Sequence, residues 1–360
     1  MEFNKARFLQ LHILTAYPPS NLNRDDLGRP KTAMLGGANR LRISSQSLKR
    51  AWRSSEVFEA AVGESKGVRT KEMGVRIAAD LQYAGVAEKK AREWARNIAA
   101  CFGKLKQEKK DDGSEEGLHI EQLAHFSPEE QQAIASLVKM LAERDGPPEE
   151  SELQLLRKQI KSADIALFGR MLASNPSYNM EAAAQVAHAI TVNKAAVEDD
   201  FFSAVDDLNT GLEDVGAGHL GETEFGSGLF YLYVCVDRAL LLENLQGDED
   251  LWRRTLQALV ECASTIAPTG KQNSFASRAR AHFVLAELGN QQPRGLSGAY
   301  MEPVWKQDMI GDAVDRLMDE ESGLVHRMDQ AYGNCADRRC VMNLLKGQGS
   351  LAEIQHCAVE

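Results

Sequence analysis

The sequence predicts an α+β fold built on one sheet, because strand-like runs alternate with amphipathic helical runs and two long stretches interrupt them as insertions. Alternating apolar positions at 6–14 and 230–236, with helical patterns at 71–102 and 249–266, carry this prediction. With 43% hydrophobic and 26% charged residues, the 360-residue chain has the balance of a folded globular protein. No apolar run approaches the roughly 18 residues needed to cross a bilayer, so no membrane contact is expected. The start, Met1-Glu2-Phe3-Asn4-Lys5-Ala6-Arg7, lacks a signal-peptide layout, and a cytoplasmic location is expected.

In residues 6–14, Leu9, Leu11 and Ile13 share one face and Phe8, Gln10, His12 and Leu14 the other, as in a half-buried strand. Tyr17-Pro18-Pro19-Ser20-Asn21 predicts an extended loop. Two helices follow within 71–102, one carrying Met73, Ile77 and Leu81, the next Ala91, Trp94, Ile98 and Ala99. The charged stretch 104–117 predicts a solvated loop. Helices at 128–144 and 150–162 flank the breaker Gly146-Pro147-Pro148. Residues 162–171 read as strand and turn, and 180–195 as an Ala-rich helix containing His188. Past the strand at 230–236, helices are expected at 238–246, 249–266 and 308–320, and a strand at 280–287.

The chemistry concentrates at 40–53, where a β-like run leads into a polar helix start. At about 100° per residue, Gln46, Lys49, Arg50 and Arg53 share one arc, while Leu48, Ala51, Trp52 and Ser55 occupy the opposite side. Ser44 and Ser45 supply hydroxyls where the first helical N–H groups lack partners, so a phosphate there meets amides, the positive dipole end and cations one turn later. A capped surface helix with solvated cations has the same pattern. Local charge favours binding: residues 24–53 hold eight basic residues against Asp25 and Asp26, a charge of +6 in a chain of net −10. This argues for a localised polyanion site and against non-specific coating of nucleic acid.

Other patterns carry less. Gly216-Ala217-Gly218-His219-Leu220-Gly221 has dinucleotide-loop spacing, but no buried strand precedes it and no helix follows. His219, Glu222 and Glu224 are read as solvated rather than metal-binding. The six cysteines are scattered and read as reduced thiols; Cys335, Cys340, His356 and Cys357 match no common zinc spacing. No metal or cofactor is expected. Residues 198–224 hold nine acidic residues and no Lys or Arg.

Several motifs in fixed order carry a family resemblance: Leu22-Asn23-Arg24-Asp25-Asp26, Arg42-Ile43-Ser44-Ser45-Gln46-Ser47-Leu48-Lys49-Arg50-Ala51, Ala163-Asp164-Ile165-Ala166-Leu167-Phe168-Gly169-Arg170-Met171, and His219-Leu220-Gly221-Glu222-Thr223-Glu224-Phe225-Gly226-Ser227-Gly228-Leu229-Phe230-Tyr231. With Ala187-His188-Ala189-Ile190-Thr191, Ala204-Val205-Asp206-Asp207-Leu208 and Gly270-Lys271-Gln272, they resemble the CasC family, the backbone subunit of the type I-E CRISPR surveillance complex Cascade. The resemblance runs to about residue 285 and is weak in the helical insert and beyond Gln291.

It implies a modified RRM-like (ferredoxin-like) palm with a large helical fingers insertion and a protruding thumb loop. The palm would comprise 1–62, 181–197 and 228–360, the last including a divergent tail, with fingers at 63–180 and thumb at 198–227. Such a subunit is non-catalytic: copies polymerise head to tail along one CRISPR RNA and kink it at regular intervals. The intervening bases then pair with a target DNA strand, alongside other Cascade subunits. On matching positions, Lys31, Ser44, Gln46, Lys49 and Arg53 would hold guide phosphates, with Arg24, Arg40 and Arg50 as helpers. Met171 would wedge beneath the kink, and Ser203 and Leu220 would cover it; ordinary core is the competing reading for Met171 and Leu220. Ala38-Asn39 stands where the family can carry basic residues. An acidic thumb must contact RNA through apolar wedges, hydroxyls and amides, and it could approach the basic palm of the next copy. Gripping the backbone leaves base edges available, and few aromatics are needed for that. The rival reading is a metal-dependent RNA endonuclease using Asp206 or Asp207, as distant relatives in type III complexes use a thumb aspartate. A second rival is a scaffold that binds only proteins.

Overall fold

The computed structural model describes residues 3–107, 115–204 and 219–360. The chain divides into two compact units, one of 59–184 with 237–255 and one of 2–58, 185–236 and 256–360. Strands are numbered β1 (Phe8–Ser20), β2 (Thr32–Leu35), β3 (Ala38–Ile43), β4 (Val68–Thr70), β5 (Ala124–Phe126) and β6 (Ala184–Val186). They continue as β7 (Ala189–Thr191), β8 (Val197–Ala204), β9 (His219–Asp237), β10 (Phe283–Gly289) and β11 (Arg338–Asn343).

The second unit holds a nine-stranded sheet in the order β11-β10-β1-β9-β7-β3-β2, with β6 and β8 also paired to β9. The mixed α/β expectation is therefore met by a large antiparallel sheet. β1 and β10 pair antiparallel with Leu11 opposite Ala286, and β10 pairs with β11 through Ala286 and Cys340. Both faces of β1 are covered, because Gln10 and His12 are as buried as Leu9, Leu11 and Ile13. The expected half-exposed strand is thus a central one, and it continues to Ser20 where a loop was expected. Proline's fixed φ suits extended backbone, so Pro18 and Pro19 are tolerated at the strand's end. The tail beyond 291 contributes β11 to the sheet, and the helix Met309–Met318 packs Ala313, Val314 and Leu317 on Leu14, Tyr231 and Phe283.

In the first unit, the helices Met73–Tyr83, Glu88–Ala100 and Pro128–Arg144 bury Met73, Ile77, Leu81, Trp94, Ile98, Ile134 and Leu141 around Phe102 and Phe126. The helical periodicity predicted these faces. β4 and β5 form a separate antiparallel pair there, Arg69 opposite His125.

Several local expectations are corrected, and the backbone donors show why. No helix forms at 150–162, because Arg157 N donates to Glu130 Oε1 (3.0 Å) and Lys161 N to Glu129 Oε1 (2.7 Å) rather than to its own turn. Residues 163–168 are a helix, not a strand: Ala166 N donates to Ser162 O and Gly169 N to Ile165 O. A short apolar run does not distinguish the two. The Ala-rich segment 180–195 is β6 and β7, since Ala187 N donates to Tyr233 O (2.9 Å) and Val192 N to Leu229 O (2.7 Å). Sheet pairing overrides alanine's helix propensity there. Cys340 and Cys357 form a disulfide linking β11 to the helix Leu351–Cys357, against the expectation of reduced thiols, so neither is available as a zinc ligand. Residues 108–114 of the charged stretch 104–117 lie outside the described residues. No described helix is long and apolar enough to cross a membrane.

Candidate nucleic-acid interface

The helix Ser45–Arg53 forms as its sequence predicts. Ser44 is its N-cap, with Oγ accepting from Ser47 N (3.3 Å), and Leu48, Ala51 and Trp52 are its buried side. Its first turn has no acidic residue, and its last turn carries Arg50 and Arg53. Gln46 and Arg50 are exposed, Lys49 and Arg53 half-buried, so the cationic arc faces outward. Burial lowers the Lys49 ammonium below its ordinary value of 10.5. A partly desolvated cation of this kind attracts an anion more strongly than a fully hydrated one.

Asn23 ties the preceding loop to this helix. Its Oδ1 accepts from Ser44 N (2.8 Å) and its carbonyl from Lys31 N (2.9 Å), while Lys31 O accepts from Arg42 N (2.8 Å). Lys31, Ser44 and the helix start are therefore held together through the side chain and carbonyl of Asn23. Arg24 and Arg50 line a cavity of about 540 Å³ with Asn23, Asp26, Ser54 and Gly270. Three of the motif segments read from sequence meet in this cavity.

Arg40 is a correction. It is fully buried: Nη1 donates to Thr191 O (3.0 Å) and Val192 O (2.5 Å), and Nη2 to Tyr300 O (2.8 Å) and Met301 O (3.3 Å). Its guanidinium holds the sheet unit together and is not offered to a ligand.

Ser203 and Leu220 lie directly opposite each other in the β8–β9 hairpin. Leu220 is 58% exposed and Met171 80%, which excludes the core reading for both. The hairpin is joined to the loop before β2: Asn21 Nδ2 donates to Glu224 O (2.8 Å) and Arg29 Nε lies 3.3 Å from Glu224 Oε1. Lys271 Nζ donates to Thr223 Oγ1 (2.6 Å). Met171 belongs to the other unit, beside a cavity of about 220 Å³ lined by Phe102, Ile120, Leu123 and Leu172. Asp206, Asp207 and the first half of the glycine-spaced motif, Gly216 to Gly218, lie outside the described residues.

Sequence reading passed over Phe201 and Phe202, 70% and 44% exposed on β8. Consecutive phenylalanines in an acidic run, with no periodicity to bury both, were the available signal. It also passed over the contact of Arg42 Nη1 with His188 Nδ1 (3.0 Å), which joins residues 146 positions apart.

One solved chain, from a structure described as a CRISPR RNA-guided surveillance complex, pre-nicking, is 28% identical to this chain. It superposes with a TM-score of 0.82 over 98% of this chain and 99% of its own. A second, from a CRISPR RNA-guided surveillance complex, shares the fold at 23% identity and a TM-score of 0.71, with the same coverage. No curated protein matches. Residues 9–359 match the CT1975-like protein family, and on that nearly full-length match the chain belongs to it.

Proposed function

We propose that this chain is a non-catalytic, guide-RNA-binding backbone subunit of a CRISPR RNA-guided surveillance complex, of type I-E, acting in the cytoplasm. The observation that carries this reading is the 28% identity, over essentially the full length of both chains, to a chain of such a complex. The cationic arc of Ser45–Arg53 supplies the mechanism. Lys31, Lys49, Arg53, Gln46 and the Ser44 cap, helped by Arg24 and Arg50, hold phosphates without consulting base identity, as a protein that accepts any guide must. Ser203 and Leu220 on the thumb hairpin cover a kink in the guide, and Met171 wedges beneath it. The β8–β9 hairpin carries Glu198, Asp199, Asp200, Glu222 and Glu224, so in head-to-tail stacking it complements the basic face of the next copy. Bases between kinks pair with the target DNA strand.

The test is purification followed by analysis of bound RNA. RNA of discrete length is expected to copurify and to survive incubation with Mg²⁺. Rebinding should weaken steeply with salt, and Lys49→Ala should remove about 0.7 from the log–log slope. An unchanged slope and affinity in Lys49→Ala would sink the phosphate assignment.

A further inference from the structure

His188 lies in the short link between β6 and β7 and is exposed. Its Nδ1 stands 3.0 Å from Nη1 of Arg42 on β3. A guanidinium can only donate, so Nδ1 carries the lone pair, and the proton of the neutral ring sits on Nε2. The strand pairing enforces the contact, since Arg42 lies opposite Ile190 in the β3–β7 ladder. Lys31 joins from the segment before β2, bonded through its backbone to Arg42. Burial, then the charges of Arg42 and Lys31, lower the His188 pKa below 6.5. Among the described residues no carboxylate is among the charges acting on this imidazole, and no ion pair involves Arg42 or Lys31.

Two cations and an imidazole thus converge from three segments, and among the described residues no anion pairs with them. Protonating the ring in this state would set an N–H against the guanidinium and add a third positive charge. A phosphate placed among the three reverses both effects: its oxygens accept from Arg42, Lys31 and the ring, and its charge offsets the cations that suppress protonation.

We propose that Lys31, Arg42 and His188 form a phosphodiester-binding subsite that takes up a proton at His188 when it is filled. This rests on the RNA-binding reading above and extends it. Arg42 and His188 become phosphate contacts, and grip on the strand becomes coupled to pH. The proton comes from solvent and adds to the imidazole, with no bond in the RNA made or broken.

The test uses the full-length protein and an unstructured single-stranded RNA at fixed ionic strength, with affinity measured from about pH 8 to about pH 5.5. Affinity should rise as pH falls, with a slope approaching about one log unit per pH unit where one proton is taken up. His188→Gln, which keeps an amide able to meet Arg42, should lose that part of the slope. Imidazole NMR gives a second readout. His188 should titrate at higher pH in Arg42→Gln without RNA, and at higher pH in the wild type once RNA is bound. An identical pH slope in His188→Gln and wild type, or an imidazole titration that RNA leaves unmoved, overturns the subsite while salt-sensitive RNA binding stands. Absence of any RNA binding overturns both this and the function it extends.

Discussion

Arg40 and Arg42 sit two residues apart on β3, on the same side of its pleat, and serve different ends. Arg42 reaches His188, while Arg40 is covered and spends its guanidinium on four main-chain carbonyls. Replacing Arg40 by Met should leave those acceptors without a donor. We expect a loss of about 3 kcal/mol or more, read as a fall in Tm of several degrees. The salt dependence of RNA binding by the folded variant should keep its wild-type slope. An unchanged Tm with weakened RNA binding would return Arg40 to the ligand set. Gly36 is a second position where neighbours decide: its φ is +56°, and a Cβ would fall 1.7 Å from Met301 O, so the β2–β3 turn accepts only glycine against that backbone.

Among the elements, the helix Pro128–Arg144 organises its surroundings through one carboxylate. Ser127 and Glu130 form a capping box, and Glu130 Oε2 also accepts from Arg170 Nη1 (2.7 Å), both side chains being almost wholly buried. Arg170 continues to Tyr178 O and Arg157 O, so the irregular 150–162 stretch and the chain entering Met171 hang on this pair. Arg170→Met should strand the Glu130 charge and destabilise this unit by about 3–5 kcal/mol, measured by thermal melting and limited proteolysis. Resistance equal to wild type would show the pair to be dispensable. The β8–β9 hairpin behaves differently. It exposes Phe201, Phe202 and Leu220, and the Phe202 ring lies over Gly221, where a Cβ would come within 2.3 Å of it.

At the scale of the molecule, the sheet unit encloses a charged network spanning its strands and its tail. His12 on β1 contacts Tyr231 Oη (2.8 Å) and Glu287 on β10 (3.2 Å). Arg339 on β11 donates to Glu287 (2.7 Å) and Asp329 (2.6 Å), and Arg294 donates to Asp329 (2.6 Å). Burial lowers the His12 pKa below 6.5 despite the carboxylate. Burial opposes ionisation of Glu287, but the hydrogen bonds from His12 and Arg339 and the charge of Arg294 win, bringing it from 4.5 to about 2. Both folded values lie below the unfolded ones, so acid acts in one direction. The unfolded chain binds the proton first, and stability falls as pH drops below 6.5 through His12 and further between 4.5 and about 2 through Glu287. Tm measured against pH should decline across these windows, and Glu287→Gln should flatten the lower one. A Tm unchanged down to the lower window would refute the linkage.

Local periodicity was sufficient for the helix faces, because which residues share a side of Ser45–Arg53 or Glu88–Ala100 depends only on 3.6 residues per turn. The charge contrast between 24–53 and 198–224, and the motif order that resembled CRISPR backbone subunits, were likewise legible in the chain itself. Tertiary structure decided the state of 157–161 and 184–191, since Arg157, Lys161 and Ala187 gave their backbone donors to partners dozens of residues away. It also decided that Arg40 is internal, that Met171 and Leu220 are exposed, and that Arg42 meets His188. Burial and pairing are properties of distant segments brought together, and a strand such as β3 shows its alternation in sequence without showing what will cover it.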